Sequence, residues 1–149
     1  MNKLPVLVEL DKRGVDLNSV LCPICGNEIE TIEHVLIRCS VALDVWTRVS
    51  RWWNSNIRAS IDVNSRFSGF SSSGSNTKSV LWQAIEWITG YILWKNRNNV
   101  IFKRKKGNAP MILNEIQVKA FDWISNRSKK HRLVWSQWLL NPNTFGDHG

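Results

Sequence analysis

Every cysteine of the chain lies in LCPICGNEIETIEHVLIRC, residues 21–39, with one of the three histidines between them. Cys22 and Cys25 bracket two residues; eight residues then precede His34, and four more precede Cys39. Two thiolates on one tight turn can grip a single tetrahedral Zn²⁺ without strain, and a thiolate and an imidazole returning from a later segment complete the shell. Gly26, directly after Cys25, lets the backbone bend and aim its amides at the sulfurs. A helix starting at Thr31 would bring His34 and Cys39 back to that turn. The closed Cys₃His shell leaves no open position for water, so it implies a structural metal site and not a hydrolytic one. Three buried free cysteines beside an unrelated histidine would leave their confinement to one segment unexplained. A redox pair fits less well, because no βαβ pattern flanks the CxxC and a third thiol remains over.

The elements that must position these residues read as helices. LPVLVELDKRG, upstream, forms a short helix with Pro5 in its first turn and Gly14 just past its end. Downstream, Ser40 is a suitable N-cap for VALDVWTRVSRWW, whose apolar residues at 42, 45, 46, 49, 52 and 53 make one buried stripe. Residues 1–54 thus form a small zinc-stabilised helical module. The Ser/Asn-rich segment 55–78 has no sustained period and reads as a flexible linker. From 79 to 142 helical periodicity returns. Leu81, Ile85, Ile88 and Ile92 share a face that Trp82, Trp87 and Trp94 widen, and Asn108-Ala-Pro110 opens a second segment aligning Ile112, Ile116, Ala120 and Trp123. LVWSQWLLNP carries Trp135 and Trp138 and stops at Pro142; residues 143–149 form a disordered tail. The chain is mainly α, and its nine tryptophans read as core and helix–helix contacts before base-stacking platforms.

The net charge of +8 is unevenly placed. Residues 1–94 balance nine Lys/Arg against nine Asp/Glu, whereas residues 95–149 hold eleven Lys/Arg against three Asp/Glu. Two runs dominate: Lys103, Arg104, Lys105 and Lys106, then Arg127, Lys129, Lys130 and Arg132. An excess of this kind points to an anionic partner, nucleic acid first. Consecutive cations spread around a helix axis suit phosphate contacts better than base reading. Solvated helix ends are the bland alternative, since cations also favour the negative C-terminal dipole.

The pattern CPxC, eight residues, His, four residues, Cys, followed by Ala42, Trp46 and Trp52-Trp53, resembles the zinc-binding domain of plant LINE-type (non-LTR) retrotransposon reverse transcriptases. LP…ELDKRG resembles that family's upstream helix, and LWKNRNNVIF its downstream IWkxRNxxiF stretch. The resemblance implies Zn²⁺ held by Cys22, Cys25, His34 and Cys39. It also implies binding of the element's RNA or target DNA, beside and in contact with a reverse transcriptase catalytic domain. Retroviral zinc knuckles keep four residues where this chain has eight, so their RNA contacts do not transfer.

Catalysis is not expected. A polymerase or nuclease needs clustered carboxylates for two metal ions, yet no two acidic residues are adjacent, and Tyr91, the single tyrosine, is followed by Ile-Leu-Trp. GFSSSG lacks the Lys-Ser/Thr of a phosphate-binding loop, and nothing suggests a small-molecule substrate. No stretch reaches the ~20 apolar residues of a membrane span. The amino terminus lacks a secretory h-region, so a nuclear or cytoplasmic, reducing setting is expected. The resemblance therefore implies a zinc-binding, nucleic-acid-binding fragment of a reverse transcriptase polyprotein without its catalytic carboxylates. The alternatives are a protein-interaction module in which zinc orders a helix pair, and a retroelement remnant without selected function.

Overall fold

The computed structural model describes residues 4–17, 19–53, 77–127 and 133–142. The expected linker and tail lie largely or wholly outside them. The described chain is mainly helical, and its one β pairing is a single antiparallel bridge between Leu21 and Ile29.

Helix α1 (Leu7–Lys12) ends in a Schellman closure. The Val15 N–H donates to the Leu10 carbonyl at 3.1 Å and the Gly14 N–H to that of Asp11 at 3.0 Å. Gly14 stands where the sequence placed it. Pro5 does not: it precedes the first turn, and its carbonyl accepts from Arg97. A hairpin-like knuckle follows, tied by Cys22 N–H to Glu28 O at 2.7 Å and Glu30 N–H to Val20 O at 2.8 Å.

The next turn, His34–Arg38, is π-helical. Thr31 caps it, its Oγ1 accepting the His34 N–H at 3.0 Å. Helix α2 (Ser40–Trp53) follows at once. Its N-cap is Cys39, not the expected Ser40, because Cys39 is extended (φ −56°, ψ 143°) while its carbonyl already accepts the Leu43 N–H. Ala42, Val45, Trp46, Val49 and Trp53 are buried and Trp52 is half-buried, the stripe that the spacing implied.

Helix α3 (Thr77–Lys103) and helix α4 (Ala109–Arg127) form an antiparallel hairpin, roughly 40 Å and 28 Å long at 1.5 Å per residue. Leu81, Ile85 and Ile92 are buried and Ile88 is partly so, but Trp87 faces outward at 38% exposure instead of widening that face. Asn108 caps α4, its Oδ1 accepting the Met111 N–H at 2.9 Å. In the turn between the helices, Asn96 Oδ1 accepts the Gly107 N–H at 3.0 Å; a Cβ at Gly107 would meet that oxygen at 2.9 Å. This close approach needs glycine.

Helix α5 (Trp135–Leu140) is short, and Trp138 anchors it. The fully buried Trp138 indole donates Nε1–H to the Gln117 carbonyl at 3.0 Å, and its own carbonyl accepts from Trp52 Nε1 at 3.1 Å. Trp52 and Trp138 meet edge-on with centroids 5.0 Å apart, and Trp53 lies 5.8 Å from Trp82. Four tryptophans from α2, α3 and α5 therefore close one end of the core. Trp138→Ala removes a ring, a donor and an aromatic neighbour together. It should cost about 3–5 kcal/mol in chemical denaturation, while Trp138→Phe, which keeps most of the volume, should cost less.

Candidate metal centre

The knuckle and the π-helical turn bring the four predicted ligands together. The Sγ atoms of Cys22, Cys25 and Cys39 and a ring nitrogen of His34 all lie within 4.8 Å of one another. Cys22, His34 and Cys39 are buried, and Cys25 is half-buried. Local geometry explains the convergence. Gly26 adopts φ 68°, a left-handed conformation that only glycine enters freely, and its N–H returns to the Cys22 carbonyl at 2.8 Å. The backbone amides of Ile24 and Cys25 point at the Cys22 sulfur, and that of Val41 points at Cys39.

His34 and Cys39 are five residues apart. On an α-helix of 3.6 residues per turn they would stand about 140° apart and face different ways. The wide turn, closed by Cys39 N–H to His34 O at 2.6 Å, swings both into one site. Such π turns are rare and occur often at functional sites. Trp46 reinforces this one by donating Nε1–H to the Leu36 carbonyl at 2.7 Å.

The donor set fits zinc. His34 Nε2 lies 3.2 Å from Cys25 Sγ, inside the cluster, while Nδ1 lies 3.2 Å from Glu28 Oε2, an approach too oblique for a full hydrogen bond. A carboxylate behind a ligating imidazole fixes its tautomer and strengthens its donor nitrogen. The hydrogen bond that Cys22 makes to Cys39, with burial, pushes the Cys22 thiol up; the same bond holds the Cys39 thiol down. A bound zinc ion would supply the charge that ionises all three and would hold them as a structural knot.

Glu28 and Glu30, which the spacing of the ligands did not single out, stand on the same knuckle. Glu30 is fully buried. Its Oε1 accepts from Leu7 N–H at 2.6 Å and from Arg97 Nη2 at 2.7 Å; its Oε2 accepts from Arg97 Nε at 2.9 Å. Arg97, on α3, is 3% exposed and lies 4.8 Å from the centroid of Trp94, and its Nη2 also reaches the Pro5 carbonyl at 3.3 Å. This forked pair binds α1, the knuckle and α3 at one point.

The basic residues lie elsewhere. Lys103, Arg104, Lys105 and Lys106 are all exposed, but α3 ends at Lys103, so this run does not follow a helix as expected. Arg104 takes the left-handed conformation, φ 51°, and the Lys105 N–H closes on the Asn99 carbonyl at 3.1 Å. That is the turn of a helix C-terminus, with arginine where glycine is usual. Arg127, at the end of α4, is exposed and lies over Trp123 at 4.6 Å. Lys129, Lys130 and Arg132 fall outside the described residues. Among the described residues no helix is long and apolar enough to cross a membrane.

A closed Cys₃His knuckle with a carboxylate behind its imidazole defines a class of zinc-ordered modules. Comparison with known families agrees: residues 1–46 match the family described as zinc-binding in reverse transcriptase. No curated protein and no solved structure matches the chain.

Two expectations follow. The purified chain should hold one zinc per molecule, and Cys39→Ser should abolish retention through dialysis; chelation should raise hydrogen exchange in residues 20–53 before the α3–α4 hairpin. Zinc retained by Cys39→Ser would show that the ligand set is wrong. For the buried pair, Arg97→Met should lose about 3–5 kcal/mol by leaving Glu30 charged and unpaired. Glu30→Leu added to Arg97→Met should recover part of that loss in the same denaturation assay, the Leu7 N–H remaining unanswered.

Proposed function

We propose that the chain is the zinc-ordered nucleic-acid-binding part of a plant LINE-type retrotransposon reverse transcriptase. It works in the nucleus or cytoplasm beside the polymerase and is not itself a catalyst. Zn²⁺ on Cys22, Cys25, His34 and Cys39 fixes the knuckle, and the C-terminal third holds the phosphates of RNA or DNA. The observation that carries this reading is the company the zinc segment keeps. A reverse-transcriptase zinc module at residues 1–46 is followed in the same chain by residues 95–149, with eleven Lys/Arg against three Asp/Glu. At the α3–α4 turn four cations stand exposed in succession, Lys103 to Lys106, and such a cluster favours polyanions by releasing their counterions.

The test replaces Lys103, Arg104, Lys105 and Lys106 with glutamine. Affinity for a short nucleic-acid duplex should fall. The slope of log K against log salt should flatten by about 0.9 for each phosphate that is no longer neutralised, with helicity and zinc content unchanged. An unaltered slope would overturn this assignment of the basic run.

A further inference from the structure

Near the turn between α3 and α4 stands a polar group that the fold leaves unanswered. Asn96, on α3, is 6% exposed, and its Nδ2 is buried without a hydrogen-bond partner among the described residues. Its other arm is fixed: Oδ1 accepts the Gly107 N–H at 3.0 Å, which settles the orientation of the amide. Buried donors in native proteins nearly always meet an acceptor from protein or solvent. Asn96 lines a recess of about 210 Å³ together with Asn99, Lys105, Lys106, Gly107 and Glu115.

Three observations bear on what fits there. The first is size. A volume of about 210 Å³ falls below the ~300 Å³ at which small-ligand sites begin, yet it is several times the ~30 Å³ share of one water. A phosphate group with a few waters fits. Charge is the second. Lys105 and Lys106 are exposed and in no ion pair among the described residues, whereas Glu115, the single carboxylate of the lining, is bridged to Lys95 at 3.2 Å. The third is the backbone. Lys106 and Gly107 share a neighbouring recess with Asn108 and Ala109, where α4 begins, so the positive end of that helix dipole adjoins the site.

We propose that this recess seats one phosphate of a polynucleotide backbone, with Asn96 Nδ2 as its buried donor and Lys105 and Lys106 as its charges. The inference rests on the nucleic-acid reading above and deepens it. Exposed cations alone attract a polyanion without fixing where its phosphates lie. A buried amide beside two of them fixes the position of one phosphate, and so sets how the backbone lies on the α3–α4 turn. Lys103 and Arg104, which do not line the recess, add charge and no position.

The experiment follows the full chain, with zinc, by NMR and by affinity. The Asn96 side-chain amide signal, assigned by its absence from Asn96→Asp, should shift saturably with inorganic phosphate and with a short DNA duplex. Asn96→Asp keeps an acceptor for the Gly107 N–H but puts an anionic oxygen where the donor stood. It should weaken duplex binding about tenfold or more, the loss expected for a hydrogen bond to a charged group, with helicity retained. Asn114→Asp, the same change of charge at an exposed position outside the recess, should weaken it far less; equal losses would reduce the effect to net charge and overturn the proposal. An Asn96 signal that stays still with both ligands would mean that its donor serves water alone, which also overturns it. A signal that shifts with inorganic phosphate while duplex affinity survives Asn96→Asp would make the occupant a free phosphate and overturn the polynucleotide. In each of these cases weaker duplex binding by the Lys103-to-Lys106 variant would leave the nucleic-acid function standing. A parent chain that binds no duplex would remove that function and this proposal together.

Discussion

Three sulfurs and an imidazole nitrogen within 4.8 Å of one another form an arrangement that, once the thiols ionise, only a cation makes favourable. Much of the amino-terminal half is built to permit it. Gly26 turns the knuckle, Thr31 starts the following turn, and the π-helical geometry of His34–Arg38 corrects an angular mismatch that an α-helix would leave. Trp46 then secures the Leu36 carbonyl in that wide turn. The metal ligands and the core are not separate systems here. Val35, Leu36 and Ile37, three of the four residues between His34 and Cys39, are each at most 1% exposed. The segment that closes the shell is also the segment that enters the hydrophobic interior.

The knuckle is also joined to the helices beyond residue 76. Arg97 reaches from α3 to Glu30 and to the Pro5 carbonyl, and the Trp52-Trp53 pair of α2 meets Trp82 and Trp138. A buried guanidinium–carboxylate pair is a poor source of net stability, because desolvation offsets most of the attraction. Its effect is on specificity: any other packing of α3 would strand a charge. The tryptophan contacts supply the apolar burial, and the ion pair selects which of the possible packings forms.

The sequence showed the parts that depend on spacing. CxxC, the histidine and the last cysteine announced the four side chains that converge, and the period of Ala42, Val45, Trp46 and Val49 announced the buried face of α2. Gly14 and Asn108 marked helix ends through their backbone chemistry. What the sequence did not show depends on partners far along the chain. Glu30 and Arg97 are 67 residues apart, and each alone looks like an ordinary surface charge. Arg97 did lie in the LWKNRNNVIF stretch on which the resemblance rested, but nothing local says that it turns inward. The partial exposure of Trp87 was equally hidden, since periodicity groups apolar residues without saying how deeply each is buried. The left-handed Arg104 contradicts its own propensity, and the turn geometry after Lys103 decides its conformation.

The placement of its charges gives the molecule two electrostatic systems with unequal sensitivity to the medium. Mobile ions attenuate interactions between exposed charges over a Debye length of ~10 Å at 0.1 M ionic strength, and groups withdrawn from solvent feel this far less. Glu30 and Arg97 are almost wholly withdrawn, whereas Lys103 to Lys106 stand in solvent. Rising ionic strength therefore mutes the outer cations while the inner clamp keeps its grip. Salt can thus weaken the outer field without loosening the architecture.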